Sequence, residues 1–300
     1  YADAVVHLGA LVGDPACALD ESLTIDINLA ATRAIAEAAK GLGIERFVFA
    51  STCSVYGASN QVLNEQSALN PVSLYARTKI AAEQILLSMS DHRFAPVILR
   101  FGTIYGLSPR PRFDLVVNLL AARAVQEKSI TIQGGEQWRP FVHVDDVATA
   151  IIKCIEAPLD TVRGEIFNVG SDDQNYRIAQ IGDIISTIVP GVEVVKQGEV
   201  ADLRNYRVSF AKIRRTLGFI PRHTVASGVL EIKAAIESGQ ISEYQDMRYS
   251  NHKTLSESTL VELSQGAGVL SLERYRMQFL DELKAEKAKT GNHQTLPLAG

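Results

Sequence analysis

The chain has 300 residues, 46% apolar and 21% charged, with 30 basic against 34 acidic side chains and a net charge of −4. That balance is ordinary for a globular enzyme with a sizeable core, and no basic block stands ready to neutralise a run of phosphates, which argues against nucleic-acid binding. No uninterrupted apolar run reaches the ~18 residues that a membrane span needs, so neither nucleic acid nor membrane is expected as a partner.

The first residue is Tyr1, and an apolar run, Ala4–Leu8, follows at once. The basic segment and longer apolar stretch of a secretory signal are missing. The expectation is a chain truncated at its N-terminus, because a buried strand is a poor place to begin a domain. Cys17, Cys53 and Cys154 are odd in number and in no CxxC spacing, and the six His residues are scattered. They fit a reducing, cytoplasmic setting and predict no metal site.

In chain order, apolar and β-branched runs at Ala4–Leu8, Arg46–Ala50 and Pro96–Phe101 alternate with helical periodicity over Asn28–Leu42 and Ser73–Met89. This alternation predicts an α/β fold, a doubly wound parallel sheet with helices on both faces. From about residue 108 the rhythm changes. Pro109, Pro111, Gly134, Gly135 and Pro140 punctuate a stretch holding one helix, Asp114–Glu127, and a strand, Ile130–Ile132. A helix over Val144–Glu156 opens on the Asp145-Asp146 pair, whose carboxylates suit a first turn. Then come a strand at Glu165–Val169, a helix at Ile178–Ile188, a strand near Val192–Lys196 and a helix near Phe210–Leu217. The expected organisation is a dinucleotide-binding domain from 1–107 plus about 140–170. A smaller mixed α/β substrate domain takes 108–139 and 171–251, and 252–300 is an unassigned tail whose last residues, 286–300, are frayed.

The chemistry centres on Tyr75-Ala-Arg-Thr-Lys79. Four residues of separation put Tyr75 and Lys79 on one helical face, where an ammonium near a phenol lowers a pKa of ~10 toward a neutral-pH general base. Upstream, at the carboxyl end of a strand, stands Ser51-Thr-Cys-Ser-Val-Tyr-Gly57. A hydroxyl there can hydrogen-bond the same reacting oxygen, since ligands of open parallel sheets sit at those strand ends. Taken singly, the loop also reads as a turn whose Ser and Thr satisfy local backbone.

Together these motifs resemble the extended short-chain dehydrogenase/reductase family, the nucleotide-sugar epimerases and dehydratases. The resemblance is carried by Val5-Val-His-Leu-Gly-Ala10, Asn28-Leu-Ala-Ala-Thr32, Arg46-Phe-Val-Phe-Ala-Ser51, the Thr52 loop and Tyr75–Lys79. It continues through Leu99-Arg-Phe-Gly-Thr-Ile-Tyr-Gly106, Arg139-Pro-Phe-Val-His-Val-Asp-Asp146, Phe167-Asn-Val-Gly170, Asp202-Leu-Arg204 and Leu217-Gly-Phe219. It implies a Rossmann-type sheet, here without its first strands, and NAD as cofactor, with NADP not excluded. Tyr75, Lys79 and Thr52 would be catalytic. Leu8, Gly9, Ala10, Ala50, Ser51, Phe101 and Gly102, with Tyr75 and Lys79, would line the cofactor, and Asn28 would steady the active-site helix beside it. Thr52, Cys53, Ser54, Thr103 and Asn118 would line the substrate, a nucleotide-diphosphate sugar whose phosphates Arg139 and Arg204 reach. A homodimer through the Asn28–Leu42 and Ser73–Met89 helices is also implied. Blander roles stay open: Asn28 as a helix cap, Arg139 and Arg204 as surface cations, His143 as a strand-end packing residue, Cys53 as a space-filling thiol.

The chain departs from the family in two ways. No GxxGxxG occurs, so the phosphate-binding turn is expected upstream. Where the dehydratases carry an Asp-Glu pair after the Thr, this chain has Cys53 and Ser54, and neither is the carboxylic acid that water elimination needs. The expected activity is therefore epimerisation by transient oxidation to a keto-sugar and return of hydride. An NADPH-dependent keto-sugar reductase, a dehydratase and a non-catalytic remnant are the alternatives.

Overall fold

Four apolar segments, Ala4–His7, Arg46–Thr52, Ala95–Phe101 and Glu165–Val169, pair in that order into one wholly parallel sheet. The computed structural model describes residues 2–198, 204–255, 279–281 and 284. Asp202 and Leu203 of one motif, and the tail over 286–300, lie outside the described residues. Every residue of Ala95–Phe101 is buried, as a strand covered on both faces must be. Ala4–His7 has one neighbouring strand among the described residues, and only His7 in it is fully buried.

Helices cover both faces. On one, Ala36 and Ala39 of the Ala31–Gly41 helix and Ala82 and Leu86 of the Leu74–Ser88 helix pack on Phe47, Phe49 and Ile98. On the other, Val147, Ala150, Ile151 and Cys154 of the Val144–Glu156 helix meet Val48, Val97, Leu99 and Phe167. The first helical segment differs from expectation. It begins at Glu21, capped by Asp20, whose Oδ1 accepts from the Leu23 amide at 2.8 Å, and passes through a π-helical turn, Asp26–Ala30. Asn28 therefore sits inside that turn and caps nothing. A π turn slips the 3.6-residue period, which hides the first two helical turns from a periodicity reading.

A second core is built from Val117, Leu120 and Ala121 of the Val116–Glu127 helix, Ile181 and Ile185 of Ile178–Ile188, and Val225, Val229 and Ile232 of Val225–Glu237. The small parallel pair Ser129–Gln133 with Glu193–Gln197 adds Ile130 and Ile132 to it, whereas the pair Ala58–Leu63 with Asn205–Val208 packs Leu63, Tyr206 and Val208 into the first core. The Val225–Glu237 helix has no counterpart in the sequence reading. Its Gly228 looks like a breaker, but a Cβ there would lie 2.5 Å from the Tyr105 ring, so the residue is a close-approach point inside a helix.

Candidate active site

The pairing register aligns Thr52 with Phe101 and Phe101 with Val169, so three strands end in one row. Above that row lies a cleft of about 380 Å³. From the strand ends Ala50, Ser51, Thr52, Phe101 and Gly102 line it, joined by Leu8, Ser54 and Thr103. Tyr75 and Lys79 enter from the Leu74–Ser88 helix, whose Ser73 cap accepts from the Ala76 amide at 3.2 Å. Arg139 and Arg204 line it as well.

Thr52 and Tyr75 both line the cleft, the Thr52 hydroxyl favours the ionised form of the Tyr75 phenol, and Thr52 Oγ1 accepts from the Ser54 amide at 3.1 Å. The loop can turn back here because Gly57 has φ 68°, and a Cβ on it would lie 1.8 Å from the Asn70 carbonyl oxygen. Beneath the cleft a buried network braces the strand ends. Glu83 accepts from Ser51 Oγ and forks onto Arg100, with Nη2 to Oε2 at 2.6 Å and Nε to Oε1 at 3.0 Å. Arg100 Nη1 donates to Tyr56 Oη at 3.0 Å, and Tyr56 donates to Asn168 Oδ1 at 2.8 Å.

Lys79 does not pair with Tyr75, and this corrects the sequence expectation. Its Nζ donates to the Ala50 carbonyl at 2.8 Å and lies 4.7 Å from the centre of the Phe49 ring. Burial brings its pKa down to about 8. The Tyr75 phenol is pushed up, first by burial and then by Cys17, with the Thr52 hydroxyl pulling the other way. The phenol thus holds its proton in this state.

Five further expected site residues are placed elsewhere. Cys53 is fully buried and donates to the Arg100 carbonyl at 3.3 Å, because the residue after Thr52 turns into the core. Asn118 spends both ends of its amide on Gly106, accepting from its N at 3.0 Å and donating to its O at 3.2 Å. Gly9 and Ala10 follow the strand but are not among the residues lining the cleft. Asn28 does not line it either. Its side chain accepts from the Leu11 amide at 2.7 Å and donates to Leu11 O at 2.9 Å, and its Nδ2 lies 3.4 Å from Thr78 Oγ1, which ties it to the active-site helix.

The cleft also holds residues that sequence reasoning missed: Asp14, Arg112 and Tyr206. The Arg139 guanidinium lies 5.6 Å from the Tyr206 ring centre, and its Nη1 donates to the Arg204 carbonyl. Those partners come from distant parts of the chain, so no local pattern announces them. Away from the cleft, His143, His223 and Glu231 cluster at metal-ligand spacing. However, His143 Nδ1 accepts from the Asp145 amide at 3.2 Å, which leaves its proton on Nε2, 2.8 Å from Glu231. That is a helix cap with a hydrogen bond, the wrong tautomer for a ligand.

The model of the NAD dependent epimerase/dehydratase family matches residues 1–170. The chain belongs to that family. It is thus an NAD-linked enzyme of the extended short-chain dehydrogenase/reductase type with a Rossmann-type fold. A UDP-glucuronate 4-epimerase from Thermodesulfobacterium geofontis is 30% identical to this family member over 234 residues, 75% of this chain and 70% of that one. A protein of Bacillus subtilis described as an uncharacterized UDP-glucose epimerase, YtcB, is 36% identical over 149 residues, 49% and 46% of the two chains. Among solved structures, MoeE5 in complex with UDP-glucose and NAD superposes with a TM-score of 0.70 at 27% identity, covering 79% of this chain and 80% of that one. The Bacillus cereus UDP-glucuronic acid 4-epimerase, in complex with UDP-glucuronic acid and NAD, gives 0.69 at 26%, covering 79% and 76%.

The nicotinamide end of NAD fits the residues present. Lys79 is 2% exposed and meets one carbonyl, while an ammonium has three N–H groups, so donors remain for ribose hydroxyls. Leu8, Ala50, Phe101 and Gly102 supply backbone and apolar surface around it.

Proposed function

We propose that this protein epimerises a nucleotide-diphosphate sugar by transient oxidation of one ring hydroxyl to a ketone. The observation that carries the reading is that Thr52, Tyr75 and Lys79 line one cleft together with Arg139 and Arg204. Guanidinium groups there anchor a diphosphate and hold the sugar over Tyr75. Tyr75 exchanges a proton with the reacting hydroxyl, and Thr52 hydrogen-bonds the same oxygen as its charge changes. NAD, when bound, supplies the hydride acceptor and donor.

Epimerisation is preferred over dehydration because Cys53 and Ser54 bring no carboxylic acid to the loop after Thr52. Asp14, the carboxylate that does line the cleft, faces Arg204 at 3.3 Å and is an acceptor in that pairing. The test is to incubate the protein with NAD and UDP-glucose, separate the sugar nucleotides, and follow reduced cofactor by absorbance. Conversion to an epimer without net reduced cofactor is expected. Stoichiometric consumption of reduced cofactor by a keto-sugar would replace the epimerase with a reductase.

A further inference from the structure

We infer that Tyr206 is a positioning residue for the diphosphate of the substrate: its ring holds the Arg139 guanidinium in the cleft, and its hydroxyl is not needed for that task. The inference rests on the nucleotide-sugar reading above and adds to it the residue that aims one of its anchors. Arg139 belongs to the strand Trp138–His143 and Tyr206 to the strand Asn205–Val208, and Asn205 Oδ1 accepts from the Trp138 amide at 2.9 Å, which sets the two strand starts side by side.

Successive side chains of a strand point to opposite faces, so the two starts offer one pair on each face. On one, the Arg207 guanidinium lies 5.2 Å from the Trp138 ring centre. On the other the roles are exchanged, with the Arg139 guanidinium 5.6 Å from the Tyr206 ring centre. Arg139 and Tyr206 line the cleft, whereas Trp138 and Arg207 do not. The ladder to Ala58–Leu63 is irregular at this point, because Asn205 pairs with Ala58 but Arg207 with Val62. Such a bulge re-aims a side chain, and Tyr206 is the residue it falls on.

Tyr206 is 3% and Arg139 6% exposed, so their contact is shielded from water, where a cation over an aromatic face is held more strongly. Arg139 Nη1 donates to the Trp138 carbonyl at 2.8 Å and to the Arg204 carbonyl, which fixes one end of the guanidinium while the ring supports its face. A guanidinium held in place before the ligand arrives loses less side-chain freedom on binding. The Tyr206 hydroxyl lies 3.5 Å from Ser54 Oγ, in the loop after Thr52, so the ring carries the contact with Arg139.

The test is calorimetric binding of UDP and of uridine, with NAD present, to wild type, Tyr206→Phe, Tyr206→Leu, Arg139→Met and the double variant Tyr206→Leu with Arg139→Met. Tyr206→Phe keeps the ring and should bind UDP within about twofold of wild type. Tyr206→Leu should weaken UDP about tenfold, the scale of a shielded cation–π contact, and leave uridine, which carries no phosphate, within about twofold. In the Arg139→Met background the loss of the ring should add less than about twofold, because the two side chains act as a unit. Tyr206→Met takes the place of Tyr206→Leu if circular dichroism shows that the latter does not fold. Equal losses for uridine and UDP, a UDP affinity untouched by Tyr206→Leu, a similar loss in Tyr206→Phe, or additive losses in the double variant would each overturn the role of Tyr206 and leave the nucleotide-sugar reading standing. Failure of wild type to bind UDP at all would bring down both.

Discussion

The Lys79 ammonium ends on the carbonyl of Ala50, 2.8 Å away, rather than on the phenol of Tyr75 one helical turn earlier. A buried ammonium satisfied by one carbonyl pays for its charge, and the pKa near 8 against an ordinary 10.5 expresses that cost. The folded value is the lower one, so the unfolded chain binds the proton more tightly. The penalty is complete below about pH 8 and disappears above about 10.5, so stability rises with pH across that window by up to about 3 kcal/mol. Lys79→Met should raise the neutral-pH melting temperature and flatten the alkaline slope, while weakening NAD binding. Chemical denaturation at several pH values and NAD titration check both halves. A variant no more stable than wild type at pH 7 would mean the ammonium is better satisfied than this geometry shows.

Tyr75→Phe should cost at least ~10² in turnover, the usual worth of a positioned acid/base group, with little change in stability. Because burial raises the phenol, the cofactor-free wild type should also lack the ordinary phenol titration near ~10 that one exposed tyrosine would add. Ultraviolet titration of wild type against Tyr75→Phe measures this directly. A difference spectrum titrating at or below the usual phenol range contradicts the burial argument.

Glu83→Ala leaves the Arg100 guanidinium buried without its carboxylate and Ser51 without its acceptor. Breaking one side of such a pair costs about 3–5 kcal/mol, so the variant should melt well below wild type. The double variant Glu83→Leu with Arg100→Met removes both charges and should recover most of the loss. Equal destabilisation in single and double variants would point to lost packing instead.

His7 is buried beside Phe47 and Phe49 and meets Thr32 Oγ1 at 2.9 Å. Burial first, and Lys79 second, depress its pKa from 6.5 to about 4. The unfolded chain therefore takes up this proton first as the solution is acidified. The native state keeps its full advantage above pH 6.5 and loses up to about 3 kcal/mol of it on the way to pH 4. His7→Gln should remove that part of the acid limb, read from denaturation midpoints between those pH values. An unchanged limb would assign acid sensitivity to other groups.

The sequence by itself determined the alternation of strands and helices, the placement of Tyr75 and Lys79 one turn apart, and Thr52 at a strand end. Each of these is a local periodicity or a short spacing, which survives without knowledge of distant residues. The Val144–Glu156 helix matched residue for residue, because its apolar stripe and acidic first turn agree. Only the tertiary structure decided where side chains point at the ends of those elements. It turned Cys53 into the core, gave Lys79 the Ala50 carbonyl, occupied Asn118 with Gly106, and brought Asp14 to Arg204. It also kept the Val225–Glu237 helix intact around Gly228, whose missing side chain makes room for Tyr105. The partners in these contacts are mostly distant in sequence, and where they are near, as Asn118 is to Gly106, the contact depends on how the elements pack. Burial and hydrogen-bond satisfaction are settled by such partners and have no periodic signature in the chain.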